Sequence, residues 1–425
     1  MLDIKFIREN VDLVKMAAVK KKIKIDLDRL VTLDDARKAL MTELENRKAI
    51  QNQVSGQVAV ASLEVRTQLI EQMQTLKVSI QADEEKLKPI MDEWKALMLQ
   101  VPNIPDMSVP DGDSDADNVE IKVWNPDGST DTPALLPSPM KDHVELMTNL
   151  KMVDFERGVK VHGFRGYFLT GDGARLSWAI WNYANDFFGK KGFEHLLGPS
   201  IVRKSNLYGT GHLPNDAEDV YKTQDEDYLI GTSEVSTMGF YADEVLEKSL
   251  FPIKHLAFSP CYRREAGSHG KDTRGLIRVH EFFKVEQVVL CEASHEESMR
   301  LHEEINRNTE EFIESLGIPY HTVLNCGGDI GQGQVKKYDV ELWVPGEKKY
   351  REISSASYFH DFQTRRFNIR YKDEAGVMRY AHSLNCTAIP TPRILVSLVE
   401  NFQQADGTVL IPQVLQKYFG NDKIG

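Results

Sequence analysis

The sequence predicts an α+β protein: a long antiparallel coiled-coil hairpin at the N-terminus, then a larger domain of mixed strands and helices. Three observations predict this. From Leu30 to Val101 the only proline is Pro89 and the only glycine is Gly56, while apolar residues recur at steps of three, four and seven. The stretch VPNIPDMSVPDGDSDAD that follows is dense in Pro, Asp, Ser and Gly, which is linker chemistry. Beyond it, strand-like and helix-like segments alternate with turns to the C-terminus. A chain of 425 residues is too long for one core, and the reading divides it into domains at 1–108 and 109–425.

In chain order, Met1 to about Lys24 reads as one small helix. Leu30, Leu33, Leu40 and Leu44 then begin a narrow apolar seam, and Leu63, Ile70, Met73, Leu76, Ile80, Leu87, Ile90, Trp94 and Leu97 return along it. The break at Val54 to Ser62, with Ser55-Gly56, reads as the tip between the two helices. Pro89 removes one backbone hydrogen bond and should kink the second helix. At about 1.5 Å per residue, arms of roughly 27 to 40 residues reach roughly 40 to 60 Å. The seam alone fits an oligomerisation element or a spacer as well as a binding arm.

Composition narrows the class. Hydrophobic residues make up 41% and charged residues 27%, so wholesale disorder is excluded. With a mean hydropathy of −0.39 and no apolar run long enough to span a bilayer, no membrane partner is expected. MLDIKFIREN lacks the apolar stretch of a secretory signal, and the expected location is the cytoplasm. Cys261, Cys291, Cys326 and Cys386 lie far apart, so neither a disulfide framework nor a zinc site is expected. The net charge of −12 argues against non-specific coating of nucleic acid, DNA included. Any nucleic-acid partner must meet local basic clusters.

The densest chemical signal is CYRREAGSHGKDTRGLIRVHEFFKVEQ. Arg263 and Glu265 stand two apart, which on an extended strand puts both on one face; Phe282, Lys284 and Glu286 alternate likewise. The reading is two antiparallel strands joined by a mobile loop. Arginine forks suit phosphate or carboxylate, and an aromatic face suits a base. A salt-bridged strand surface is the alternative.

These residues also resemble the second signature of class II aminoacyl-tRNA synthetases, here Tyr262-Arg263-Arg264-Glu265 and Arg278 through Phe282 to Glu286. EAGSHGKDTRGLIRVHEF, GTSE (Gly231 to Glu234), REISSAS (Arg351 to Ser357), HSLNCT (His382 to Thr387) and the opening MLDIKFIREN resemble the seryl-tRNA synthetase family in particular. Lys191-Gly192-Phe193 with Pro199 is similar to the first class signature, which lies at the dimer interface in that family. Arg393, opening the apolar helix ILVSLVENFQQ, is similar to the third. An arginine at a helix N-terminus opposes the helix dipole unless an anion faces it.

The resemblance implies a class II synthetase-like antiparallel sheet flanked by helices, ATP and Mg²⁺, a homodimer, and tRNA(Ser) as partner, with tRNA(Sec) as a second candidate. It implies adenylation of L-serine and transfer of the seryl group to the tRNA 3′ end. By the same resemblance Arg263, Glu265 and Arg393 are the catalytic set. Arg263, Arg264, Glu265, Phe282, Glu352, Ile353, Ser354, Ser355 and Arg393 meet ATP, with Glu352 and Ser355 at the metal. Thr232, Ser233, Glu234, Arg263, Glu286, Asn385 and Thr387 surround serine. The hairpin becomes a tRNA arm whose basic supply is Arg37, Lys38, Arg47, Lys48, Arg66 and Lys77.

There are departures from the family pattern: His212, Asn215 and Asp216 in GTGHLPND, Gln332, Ser383, Cys386 and Thr387. Two other readings compete. An adenylating paralogue could load another acceptor, but relatives that charge carrier proteins lack the long hairpin. A non-catalytic coiled-coil adaptor is disfavoured by the joint presence of Arg263, Glu265, Phe282, Glu286 and Arg393.

Overall fold

The computed structural model describes residues 1–133, 140–268 and 270–425, so His269 of the loop string lies outside the described residues. Two compact units form: residues 2–19 with 23–102, and Met1 with 20–22 and 103–425.

The first unit is helical. Where the sequence suggests one small helix before Lys24, two form, α1 (Ile4–Glu9) and α2 (Val11–Lys20). Asn10 separates them: its backbone leaves helical geometry and its side-chain amide bonds back to the Phe6 carbonyl. The hairpin follows as α3 (Leu27–Val58) and α4 (Leu63–Gln100). Asp26 caps α3 by accepting the Arg29 N–H at 2.8 Å. Leu30, Leu33, Leu44 and Val54 bury the α3 side of the seam, and Ile80 and Met98 the α4 side.

Ion pairs lace the two helices, Arg29 to Glu93 at 2.7 Å, Arg47 to Asp83 at 3.1 Å and Lys48 to Glu84 at 2.7 Å. The turn comes later than Ser55-Gly56: α3 runs through both, and residues 59–62 make the connection. One helical glycine costs about 1 kcal/mol, which the seam burial of Val54 offsets. α4 likewise continues through Pro89. Of the basic residues on the arm, Arg37 and Lys38 pair with the buried Asp34. Arg66 and Lys77 make no ion pair among the described residues.

In the second unit the described residues form an eight-stranded sheet. Its strands are β1 (Val119–Trp124), β2 (Glu194–Leu197), β3 (Ile253–Tyr262), β4 (Glu281–Cys291), β5 (Tyr320–Leu324), β6 (Lys336–Val344), β7 (Lys349–His360) and β8 (His382–Thr391). They lie in the order β1-β5-β6-β7-β8-β4-β3-β2. Every neighbouring pair is antiparallel except β2 with β3.

The helices that matter for the site are α5 (Gly171–Gly189), α6 (Lys204–Thr210), α7 (Glu234–Phe240), α8 (His295–Leu316), α9 (Phe362–Phe367) and α10 (Arg393–Phe402). α8 starts at Ser294, whose hydroxyl accepts the Glu297 N–H, and stops at Gly317 in a left-handed conformation with φ +73°. Its Leu301, Ile305, Phe312 and Ile313 join Ala356, Tyr358, Leu384 and the α5 residues Leu176, Ile180 and Phe188 in one core. That core holds one face of the sheet. The other face carries Lys284, Glu286 and Thr387 together with a second apolar cluster, in which Val288 and Leu290 meet Met238, Phe367 and Ile369.

Candidate active site

β3 and β4 pair as the sequence predicts, with Tyr262 opposite Glu281 and Ala257 opposite Glu286. Phe282, Lys284 and Glu286 therefore emerge on one face. Arg263 and Glu265 are placed differently from the strand reading. The strand ends at Tyr262; Arg263 closes onto the His280 carbonyl through its N–H at 2.9 Å, and Glu265 turns left-handed with φ +54°. The turn is held because the Glu265 carboxylate accepts from Arg278 Nη1 at 2.7 Å.

Arg263 nevertheless reaches the intended wall. Its guanidinium lies 5.3 Å from the Phe282 ring centroid, and Nη2 donates to the Gly231 carbonyl at 3.4 Å. A Cβ at Gly231 would stand 3.4 Å from Arg263 Nε, so the glycine of GTSE leaves room for the arginine. Arg263 thus joins two elements, the aromatic wall of β4 and the turn that leads into α7.

β7 carries a bulge. Val340 pairs with Ser354 and Glu341 with Glu352, leaving Ile353 extra. Glu352 and Ser355, three apart, consequently share the face of Asp339 and Glu341. Ser354 takes the opposite face, where its buried hydroxyl donates to the Thr387 carbonyl at 2.5 Å. Arg393 opens α10 as the sequence predicts, and it donates to the carbonyls of Ile277 and Glu352, each at 2.8 Å. Among the described residues it makes no ion pair. Burial pulls its pKa down, with Glu352 opposing.

Arg263, Glu265, Ile277, Glu352 and Arg393 line two adjoining cavities. A small one of about 50 Å³ also touches Phe282, Lys284, Ile353 and Thr387. A polar one of about 740 Å³ adds Arg278, Lys337, Asp339 and Arg351.

The neighbouring region is a buried carboxylate pair. Glu286, 1% exposed, accepts from Thr387 Oγ1 at 3.1 Å and lies 3.4 Å from Lys284 Nζ. Burial raises its pKa, and Lys284 opposes the rise. Glu234 is held by two amides, Gln363 Nε2 at 2.6 Å and Asn385 Nδ2 at 2.7 Å. Burial pushes its carboxyl up to about 7, opposed by the Gln363 hydrogen bond and reinforced by Glu286. Thr232 is buried beside it, whereas the Ser233 hydroxyl turns to the Ala257 carbonyl and Ser259.

Most of the sequence-singled residues converge here. Arg264 does not line either cavity: it is exposed, and its N–H bonds to the Asp219 carbonyl. Arg278 and Lys284, read as part of the loop-string pocket but given no ligand role, line these cavities, and Gln363 is the residue that sequence reasoning misses. Lys284 and Arg278 stand in the quoted string, so their spacing was a usable signal. Gln363, from a distant helix, gave none. Two departures meet each other, since Asn215 Nδ2 donates to Gln332 Oε1 at 2.8 Å. His212 lies 2.8 Å from Thr210 Oγ1, and burial beside Arg263 and Lys284 lowers its pKa to about 4.

The donor set suits a hard cation. Among the described residues no group of three or more His, Cys, Asp or Glu side chains forms a metal cage. Glu352 and Ser355 present oxygen donors on one face, and Asp339, across from Ser355, keeps Oδ1 buried without a hydrogen-bond partner. Mg²⁺ is commonly held by one or two carboxylates together with substrate phosphates, and this arrangement fits it.

Known proteins match this architecture. Residues 1–105 match the seryl-tRNA synthetase N-terminal domain, and residues 219–402 the class II tRNA synthetase core domain (G, H, P, S and T). The serine–tRNA ligase of Deinococcus radiodurans is 44% identical over 425 residues, covering 100% of this chain and 99% of the relative. The solved seryl-tRNA synthetase of Pyrococcus horikoshii, complexed with ATP, superposes with a TM-score of 0.88 at 37% identity over 100% of this chain and 99% of its own. The cytoplasmic serine–tRNA ligase of Naegleria fowleri, in complex with AMP, gives 0.84 at 32% identity, covering 100% and 98%. With both family models matched and full-length relatives this similar, the chain belongs to the seryl-tRNA synthetase family of class II aminoacyl-tRNA synthetases.

Proposed function

We propose that the chain activates L-serine with ATP to seryl-adenylate, releasing pyrophosphate, and transfers the seryl group to the 3′ end of tRNA(Ser). The observation that carries the reading is the position of Arg263 between the Phe282 ring and the Gly231 carbonyl. A base on Phe282 and an amino acid at the Glu234–Glu286 pocket would bring phosphate and carboxylate together at that guanidinium.

The chain then works by position and charge, without a nucleophilic side chain. Arg263 holds the serine carboxylate against the α-phosphate and stabilises charge developing between them. Glu265 fixes Arg278 at the polar cavity. Arg393, whose protein bonds are both to carbonyls, keeps its charge for the distal phosphates. Arg264, Ile353 and Ser354 would meet ATP through backbone or at the rim. Glu352 and Ser355 would hold Mg²⁺, which neutralises phosphate charge when bound. Thr232 and Glu234 receive the ammonium; Glu286, Thr387 and Asn385 receive the hydroxyl, and leaving these buried groups unpaired discriminates against alanine by up to roughly 10⁴-fold.

We assign residues 1–108 as the tRNA arm and 109–425 as the catalytic domain. RNA shape is read largely through backbone and 2′-hydroxyl contacts, so the modest basic supply of α3 and α4 suffices. A tRNA(Sec) of the same long-armed shape would be charged by the same chemistry. Trp178, 62% exposed, and Phe168 border an apolar cavity of about 530 Å³ that includes Trp181, Phe258 and Phe283. This surface supports a homodimer. No described helix is long and apolar enough to cross a membrane, and we assign the work to the cytoplasm.

An amino-acid panel of ATP–pyrophosphate exchange tests the reading. Exchange with serine but not alanine, followed by charging of tRNA(Ser), is expected. Exchange without charging would point to another acceptor, and no exchange would leave the adaptor reading.

A further inference from the structure

Gln363 lies in α9, outside every quoted signature and more than a hundred residues from Glu234, and is 1% exposed. Its amide is fully committed. Nε2 donates to Glu234 Oε1 at 2.6 Å and to the Thr210 carbonyl at 3.2 Å, while Oε1 accepts from Ser383 Oγ at 2.8 Å. A carboxylate and a carbonyl only accept, so the amide has one orientation that satisfies them. On the far side of Glu234, Asn385 Nδ2 holds Oε2 at 2.7 Å, and its own Oδ1 is buried without a partner.

The chemistry of this cradle is specific. Two neutral amides fix both carboxylate oxygens, stabilise the anion and leave its charge uncancelled. An arginine or lysine in the same place would neutralise it. A buried carboxylate oriented by amides is an acceptor for an incoming cation. The second Gln363 bond ties this carboxylate to the carbonyl of Thr210, where α6 ends and the Gly211–Asp216 segment with His212 begins.

We propose that Gln363 is a positioning residue for amino-acid recognition: acting through Glu234, it aims that carboxylate at the ammonium group of the substrate and couples it to the His212 segment. This rests on the serine-activating reading above. Burial already raises the Glu234 pKa to about 7 and the Gln363 bond opposes that rise, so losing the amide would drive it further up.

The test is serine-dependent pyrophosphate exchange by full-length Gln363→Met, which keeps side-chain length and removes the donor. Loss of one charge-assisted hydrogen bond should raise KM for serine roughly ten- to a hundredfold. KM for ATP should stay unchanged, and the pH midpoint of kcat/KM for serine should move to higher pH. A general distortion would raise both KM values and leave the midpoint in place, and that result would overturn the proposal; so would an unmoved serine KM. If thermal melting shows that Gln363→Met does not fold, Ser383→Ala, which frees the amide, is judged by the same criteria. Failure of the wild-type chain to exchange with serine would overturn the activity itself and this inference with it. Wild-type exchange with an unaffected variant overturns the inference alone.

Discussion

Replacing Arg263 with lysine keeps a positive charge at the joint between the two halves of the site and removes the planar fork. Two losses follow. The guanidinium stacks 5.3 Å from the Phe282 centroid, a cation–π contact worth about 0.5–2 kcal/mol, and an ammonium on a flexible stem recovers little of it. The second loss is a bidentate charge-assisted contact to the reacting phosphate and carboxylate, about 1.5–3 kcal/mol. Together they predict a fall in kcat/KM of roughly thirty- to several thousandfold, at about 1.4 kcal/mol per decade. Arg263→Ala should fall further, because no adjacent cation has the same reach. Stability should fall by no more than the lost cation–π contact, about 0.5–2 kcal/mol, since the side chain's hydrogen bond to Gly231 is long at 3.4 Å. Serine-dependent ATP–pyrophosphate exchange, with thermal melting as the control for folding, measures the effect. A folded Arg263→Lys variant within about fivefold of wild type would refute the geometric argument.

Three further outcomes are expected. With the Glu234 pKa raised to about 7, kcat/KM for serine should climb as pH rises through that value, and Glu234→Gln should abolish the inflection; a flat wild-type profile from pH 6 to about pH 8 would contradict it. The linked stability runs the other way: the native state holds this proton more tightly than the unfolded chain, so the group's stabilising contribution is lost as pH rises from the ordinary carboxyl range through about 7. Replacing Arg37 to Lys86 by a short turn should leave serine-dependent exchange nearly intact while tRNA charging drops by orders of magnitude; equal loss of both would make the arm structural. Sedimentation at micromolar concentration should show a dimer that Trp178→Glu dissociates, and a wild-type monomer would remove the dimer assignment.

The parts legible in the sequence were those written in a regular period. The base of the α3–α4 seam followed from heptad spacing at Leu30, Leu33, Leu44 and Ile80, whereas Leu63 and Ile70, read into the same seam, stay exposed near the tip; the shared face of Phe282, Lys284 and Glu286 followed from strict alternation. Arg393 could be placed because an apolar helical pattern begins directly behind it. Illegible features were those where the backbone departs from its period or where distant segments meet. Nothing in YRRE marks the end of the strand at Tyr262 or the left-handed Glu265, since the conformation depends on a bond to Arg278 across the loop. Ser55-Gly56 carries turn chemistry, yet packing of Val54 carried the helix past it. The amides that orient Glu234 come from residues more than a hundred positions away, and only the folded topology brings them together.

The extra residue at Ile353 makes parity a property of this site. Counting along a regular strand, Glu352 and Ser355 have opposite parity and could never serve one ligand; the bulge inserts one count and makes them equivalent. A second irregularity, at Ala388 in the adjacent strand β8, does the same for the segments on either side of it. Loss of a single residue at either place would therefore invert every side chain on one flank, sending carboxylates toward the α8 core and apolar groups toward substrate. Loss of two residues would shorten the strand and preserve the inside–outside order. Change in chain length at these two positions is thus counted modulo two, and an odd step is the severe one even though it removes less.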